Sequence, residues 1–513
     1  MNIKKLSQSS VTLMFVIIVS KLIGMIRDVV LANYFGTSNV SDAYLIASTV
    51  PTFLFYFIGH SLSTAYIPMY NKVRTERGEE AAHKFTNNLL TIAILLSTVI
   101  VIILLLFPTV IVRVFAAGFD IETAQIAARL IRISVPSIYL MTMVNVCSGY
   151  LQANRSFLAP AFISFPRNLA IMVSVILAAT IGIDMLGWGL LASYILEFLF
   201  LLPFVLRKGY IYQPYINLRD GEIRQTLYIV APILLGMCVG QVNKMIDKSM
   251  ASTVTEGGVS ALTYASIINN AIQEILVTGI ITILFASCAE LVAHGNFDEV
   301  KKKLSRTVDT LIFLLIPASI GVAVLAEPIV KLVLCRGQFD VHSLEMTSTT
   351  LRYYSFGLLF LAIRDTLVKV FYAYKDTKVT TATSTIAITL NIVLNLVLGK
   401  LIGLKGFALA TSISALYNCV VLYILLRRKI GDFGMLSTLA VGIKSIIAST
   451  VMSISVWYIY SNLQNIFADI AALLISVFLG IVVYLILSLL LVNTPLINEV
   501  KKIKSHTKQQ GEK

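Results

Sequence analysis

Apolar residues run in stretches of about 18 to 25 along this chain, separated by short polar and basic connections. A stretch of that length crosses a hydrocarbon core of roughly 30 Å as a helix, so the pattern predicts membrane-spanning helices and not a barrel. Fourteen spans follow: 9–33, 41–71, 85–116, 121–153, 157–183, 186–206, 225–251, 258–292, 307–335, 343–374, 379–400, 406–426, 436–461 and 466–492. The flank MNIKKLSQSS is basic, but no small-residue cleavage pattern follows the first apolar run, so that run is expected to be a retained span. No stretch is left over for a soluble domain.

The chain also repeats itself at a shift of about 219 residues. TAYIP, ending at Pro68, lies opposite TILFA, ending at Ala286; FPTVIVRVF at Pro108 lies opposite EPIVKLVLC at Pro328; GWGLLASYI from Gly187 lies opposite GFALATSIS from Gly406. Asp28 falls opposite Asp247. Each unit holds six spans, an even number, so both run the same way across the membrane as parallel repeats. The expected fold is an all-α polytopic membrane protein of about 14 transmembrane helices. Residues 1–215 form the first six-helix lobe, 216–430 the second, 431–495 two additional helices, and 496–513 a basic cytoplasmic tail. Paired lobes of this kind suit a carrier that holds substrate between them and alternates access.

Composition agrees: 57% of the 513 residues are hydrophobic and 13% charged, and the mean hydropathy is +0.84. The formal charge of +14 raises nucleic acid as a partner, but there is no soluble basic module to bind it. Topology accounts for the excess better. Alternate connections carry 25 Lys and Arg on one side, counting both termini, and only Arg336, Lys400 and Lys405 on the other. The positive-inside rule then places both termini in the cytoplasm. The five cysteines, Cys147, Cys238, Cys288, Cys335 and Cys419, lack CxxC spacing and read as small packing residues, with neither disulfide nor metal expected.

Thirteen basic residues remain within or at the edges of spans: Lys21, Arg27, Arg113, Arg129, Arg132, Arg167, Lys244, Lys248, Lys331, Arg352, Arg364, Lys369 and Lys444. Arg113, Lys331 and Arg352 lie near helix ends, where long side chains snorkel to the interface. Lys21 is near mid-span, where a charge costs roughly 3 kcal/mol on insertion scales, so it should face protein or a wet cavity. In SKLIGMIRD, Lys21, Gly24 and Asp28 share a helix face, since seven residues turn through about 700°. Asp28 can pair with either Lys21 or Arg27. Lys244, Asp247 and Lys248 have the spacing of a self-contained ion-pair patch, or line a cavity.

SKLIGMIRD, ANYFG, SDAY with Pro51, AYIP, and in the second half FYAYKDTK with GLKGFALATS together resemble the MurJ (MviN) lipid II flippases. These belong to the multidrug/oligosaccharidyl-lipid/polysaccharide exporter superfamily, and the resemblance runs over nearly the whole chain. It implies a multi-pass protein of the bacterial inner membrane. Its task there is to move undecaprenyl-pyrophosphate-linked disaccharide pentapeptide, lipid II, from the cytoplasmic to the outer leaflet, acting as a monomer among membrane lipids. By the same resemblance Ser20, Lys21, Arg27, Asp28 and Asp42 contact the headgroup, with Lys21 standing where Arg is usual. From the second half, Arg364 and Lys369 add the basic donors that a pyrophosphate needs. The resemblance also admits a sodium ion at Asp247, Asn391, Asn395 and Thr411, with Asn395 where an Asp is expected; no other cofactor is implied.

Two departures stand out. Basic residues of the second span are replaced by Phe55 and Tyr56, and the eighth-span YADRL pattern reads YASII, with Ile267 in place of its arginine. A flippase for another polyprenyl-pyrophosphate-linked glycan is therefore an alternative substrate reading. A cation-coupled multidrug exporter would share the two lobes but should have twelve spans and an acidic site. An enzyme is not expected: the five histidines form no spacing motif, and HExxH, P-loop and GxSxG signatures are absent.

Overall fold

The computed structural model describes residues 3–491, with side chains described except at 3–11, 13, 14, 57, 58, 60–64, 227, 229–239 and 435–437. The basic tail at 496–513 lies outside the described residues. Among them the chain is all helix between short turns, with no strand. The elements are α1 (Ile3–Phe35), α2 (Asn39–Arg77), α3 (Glu79–Leu106), α4 (Pro108–Phe115), α5 (Ile121–Ser134), α6 (Ser137–Ala153), α7 (Leu158–Phe162), α8 (Ser164–Thr180), α9 (Asp184–Arg207) and α10 (Gly221–Ala251). They continue as α11 (Gly258–Ala293), α12 (Phe297–Val324), α13 (Ala326–Leu334), α14 (Val341–Ser355), α15 (Leu358–Ala373), α16 (Thr377–Ile402), α17 (Leu404–Ile430), α18 (Met435–Leu463) and α19 (Asp469–Leu491).

These helices fall on the segments that the apolar pattern marks out, and several segments are broken in two. Pro136, which has no N–H to donate, sits between α5 and α6, and their axes differ by 51°. Pro108 opens α4 at the position where a missing N–H costs nothing. Among the described residues, nine helices are long and apolar enough to cross a membrane, or ten when α5 and α6 count as one bent span. α1 carries Lys21, Arg27 and Asp28 within its apolar run.

Helix starts follow side-chain chemistry. Asp120 accepts from the Thr123 N–H at 3.1 Å to open α5, and Asp220 accepts from the Glu222 N–H at 2.9 Å to open α10. Gly78, at φ +86°, closes α2 with its N–H on the Arg74 carbonyl, a turn that favours glycine.

Packing divides the chain into two compact units: Met1–Ser260 with Arg336–Asp340, and Ala261–Cys335 with Val341–Lys513. The border at Ser260 differs from the sequence repeat border at 215/216, because α10 packs on α2, α3 and α4. In the first unit α2 packs on α3, α5 and α6, α9 on α5, α6 and α8, and α1 on α7 and α8. One end of this unit is an aromatic core of Tyr66, Tyr70, Phe85, Tyr150 and Tyr210. Three of their hydroxyls are engaged: Tyr66 with Thr86 at 2.8 Å, Tyr150 donating to the Lys208 carbonyl at 2.9 Å, and Tyr210 donating to Asn87 Oδ1 at 2.8 Å. In the second unit α17 packs on α14, α15 and α16, while the additional helices α18 and α19 pair with each other. α18 also packs on α12, and Tyr484 of α19 donates to the Phe313 carbonyl at 2.8 Å.

α16 and α17 approach so closely at Gly406 that an added Cβ there meets the Leu398 carbonyl oxygen at 2.3 Å. At Gly24 of α1 the nearest atom, Asn168 Nδ2, is 3.9 Å away, an ordinary contact. Gly406→Ala is therefore expected to lower the Tm of detergent-purified protein by the equivalent of about 1–3 kcal/mol. Gly24→Ala should leave it unchanged, both read by thermal unfolding.

Candidate functional site

The charged cluster of α1 resolves into one tight pair. Arg27 Nε and Nη2 donate to Asp28 Oδ1 at 2.9 and 2.7 Å, and Arg27 Nη1 donates to Asn168 Oδ1 of α8 at 3.1 Å. Asp28 is buried, whereas Lys21, a near neighbour on the same face, is exposed. Arg27 is thus the partner of Asp28. Ser20 is buried against α7, its hydroxyl donating to the Ala161 carbonyl at 3.4 Å.

Beside this pair lies a cavity of about 260 Å³, lined by Arg27, Asp28, Tyr44, Thr49, Arg167 and Tyr194 among others. A second cavity of about 380 Å³ shares Thr52, Met141, Arg167 and Tyr194 with it. Phe55 and Tyr56, which replace basic residues of the resembled family, line this second cavity opposite Asn145, Ser148 and Gln152 of α6. Arg167 of α8 belongs to both. Its guanidinium lies over the Tyr194 ring at 5.4 Å, and Nη1 is 3.6 Å from Glu197 Oε1 of α9. Sequence reasoning had Arg167 among the span-buried cations without a role and passed over Glu197. The signal was there: Glu197 is an acid in the middle of an apolar run.

Asp42 sits in the first turn of α2 and is 2% exposed. Its Oδ1 accepts from the Ser260 N–H at 2.7 Å and the Ser260 hydroxyl at 2.6 Å, and Oδ2 accepts from the Val259 N–H at 3.4 Å. A carboxylate here satisfies orphan donors at the start of α11 and meets the positive end of its dipole. On α10, Lys248 Nζ donates to Thr49 Oγ1 at 2.7 Å, and Asp247 Oδ2 accepts from Asn243 Nδ2 at 3.4 Å.

The second unit carries its own arginine–aspartate neighbours. Arg364 Nε and Nη2 donate to Asp365 Oδ1 at 3.0 and 2.7 Å, the same forked geometry as Arg27 with Asp28. Lys369 is exposed, its ammonium 5.4 Å from the Phe285 ring centroid and 5.9 Å from that of Tyr372. Asn391, Asn395 and Thr411 do come together: Asn395 Nδ2 donates to Asn391 Oδ1 at 3.1 Å, and Asn391 Nδ2 to Thr411 Oγ1 at 3.4 Å. Asp247, the remaining member of the expected cation set, belongs to the first unit. The three side-chain oxygens of the second unit are hard, neutral donors of the kind that ligate hard cations. Among the described residues no group of three or more His, Cys, Asp or Glu could hold a metal.

The family model for lipid II flippase MurJ matches residues 31–478. The chain belongs to the MurJ family. A probable lipid II flippase MurJ of Thermotoga maritima is 27% identical over 473 residues, 92% of this chain and 94% of the relative. One of Vibrio cholerae is 25% identical over 438 residues, 82% of each chain. A solved lipid II flippase MurJ in an inward closed conformation superposes with a TM-score of 0.80 at 27% identity, covering 93% of this chain and 98% of that one. A MATE family multidrug resistance transporter of the MOP superfamily, in an inward-facing conformation, gives a TM-score of 0.68 at 14% identity over 82% of this chain and 96% of its own. That last likeness concerns the fold alone and agrees with the superfamily. Membership in the MurJ family, together with the many apolar helices, makes this a multi-pass inner-membrane protein.

Asp42 is a clear structural test within this MurJ-family site. Asp42→Ala leaves the Val259 and Ser260 N–H groups without their acceptor and is expected to cost about 1–3 kcal/mol of stability. Asp42→Asn keeps one acceptor oxygen and should cost less. Thermal unfolding of the two purified variants beside the wild type measures the difference.

Proposed function

We propose that this chain translocates lipid II from the cytoplasmic to the outer leaflet by alternating access, breaking no covalent bond. The family match over residues 31–478 carries the reading. The chemistry of the first unit suits it: a diphosphate is an anion with many acceptor oxygens, and the planar forks of Arg27 and Arg167 both face one cavity. Asp28 and Glu197 balance those charges, which makes release as feasible as capture. The excess of basic residues on one set of connections supports cytoplasmic termini. Moving a charged headgroup across the field changes the free energy by about 2.3 kcal/mol per charge per 100 mV, enough to bias a carrier whose states differ by a few kcal/mol.

A second reading has its own observation. Phe55 and Tyr56 make the wall of the second cavity aromatic, and Ile267 removes a further cation, so a different polyprenyl-diphosphate-linked glycan would fit the same anchor. Complementation separates the two. In a strain depleted of its own lipid II flippase, the wild-type chain should restore growth, while Arg27→Ala and Asp28→Ala, at normal protein levels, should abolish it. Failure of the inserted wild-type chain would favour the other glycan; full growth with either variant would sink the Arg27–Asp28 assignment.

A further inference from the structure

The first unit holds two arginine–carboxylate pairs beside two cavities that share Arg167, and they differ in how firmly they are made. Arg27 grips Asp28 through two nitrogens at 2.9 and 2.7 Å and spends a third on Asn168. Arg167 approaches Glu197 with a single nitrogen at 3.6 Å, beyond hydrogen-bonding distance. Exposure is divided unevenly across this second pair: the Arg167 side chain is 37% exposed and that of Glu197 is 3% exposed. The cation is therefore the more exposed partner, while its carboxylate, which also lines the second cavity, is nearly buried. Of the two forks, Arg167 is the one an incoming anion can turn.

We propose that Arg167 is a second diphosphate-binding cation of this chain, held by Glu197 until the substrate anion displaces it. The inference rests on the reading that the cargo carries a diphosphate. Displacement leaves the Glu197 carboxylate buried and without its cation, a costly state that uptake of a proton from cavity water relieves. The step balances simply: one carboxylate and one solvent proton become one carboxylic acid, and the guanidinium keeps its charge. Binding of the anion is thereby tied to binding of a proton, and release of one favours release of the other.

Among the described residues, Arg167 is the cation that lines the second cavity with Glu197. Arg167 of α8 faces it, with Tyr194 on α9 itself and Tyr56 on α2 across the second cavity. α6 contributes Asn145, Ser148 and Gln152, and α7 contributes Pro160, none of which titrates. Tyr44, Arg27 and Asp28 face the first cavity, on the other side of Arg167. On α5, Arg129 lies against Asp184 at the far start of α9, Nε to Oδ1 at 3.5 Å.

The test uses full-length protein in nanodiscs, with inorganic pyrophosphate as the probe and orthophosphate as the comparison. Affinity is measured by calorimetry, and proton uptake by a pH-indicator dye in weak buffer. Wild-type protein should take up about one proton per pyrophosphate bound. Glu197→Gln, which removes the competitor, should bind pyrophosphate about tenfold tighter with no uptake, and Arg167→Gln about tenfold weaker. Arg167→Lys, which keeps the charge and loses the fork, should fall between Arg167→Gln and the wild type. Equal affinity in wild type and Glu197→Gln, or pyrophosphate binding by the wild type without proton uptake, overturns the proposal. The proton measurement on the wild type decides the matter even where Glu197→Gln does not fold. Complementation distinguishes the two levels: a chain that restores growth but shows no proton uptake loses only this inference. A chain that fails to restore growth yet shows the uptake keeps the switch and loses the lipid II reading.

Discussion

A charge enclosed by packed apolar helices must be matched where it stands, because breaking a buried pair by removing one partner costs about 3–5 kcal/mol. That requirement organises the interior of the first unit. Arg27 answers Asp28 and borrows Asn168 from α8; Arg167, next along α8, answers Glu197 on α9. The packing of α1 on α8 and of α8 on α9 thus brings along a chain of alternating charge. The helices are placed by apolar burial, and the register of α8 against α9 sets Arg167 beside Glu197. The second unit obeys the same rule at Arg364 and Asp365, adjacent in sequence as Arg27 and Asp28 are.

Pairing of this kind also limits how tightly any anion can be held. A site of bare arginines would bind a diphosphate strongly and keep it. A site whose arginines already own carboxylates offers the anion only the difference between two partners, and that difference is set by geometry. The forked contacts of Arg27 make a large claim on its donors, and the single 3.6 Å approach of Arg167 a small one. A carrier must release what it binds, and interior neutrality supplies reversibility without any moving part dedicated to it.

Much of this was legible in the sequence. Apolar runs gave the helical segments, and the first span offered Asp28 two partners, Lys21 and Arg27, of which the structure takes Arg27. What stayed hidden were contacts between residues distant in the chain. Arg167 and Glu197 are 30 residues apart on separate helices, and neither carries a local pattern that names the other. The partners of Asp42 lie more than 200 residues away, so nothing local shows that the carboxylate expected at the headgroup has its oxygens engaged by the start of α11. The repeat likewise assigned α10 by ancestry, whereas packing places it against α2, α3 and α4. Periodicity reports which face of a helix is buried; it does not say against what.

The contacts that hold α10 and the start of α11 to the rest of the first unit differ in kind from its aromatic core. Gly118 donates its N–H to Ser252 Oγ at 3.0 Å, and a Cβ on it would meet the Ser252 carbonyl at 2.3 Å. At Gly257, φ +73°, a Cβ would meet the Thr37 carbonyl at 2.1 Å, and at Gly337, φ +58°, the Asn33 carbonyl at 2.2 Å. These are close backbone contacts, at the end of α10, at the turn before α11 and at the 336–340 segment, beside the Asp42 cap. Hydrogen bonds contribute about 1 kcal/mol each, since water replaces them when they part, whereas burying a large aromatic or aliphatic side chain contributes about 1.5–3 kcal/mol that separation forfeits. Contacts of the first kind are therefore cheaper to part than the Tyr66–Tyr150–Tyr210 core. Glycine at these positions matters for a steric reason: a Cβ would collide with the facing backbone carbonyls, so any larger residue would force these segments apart.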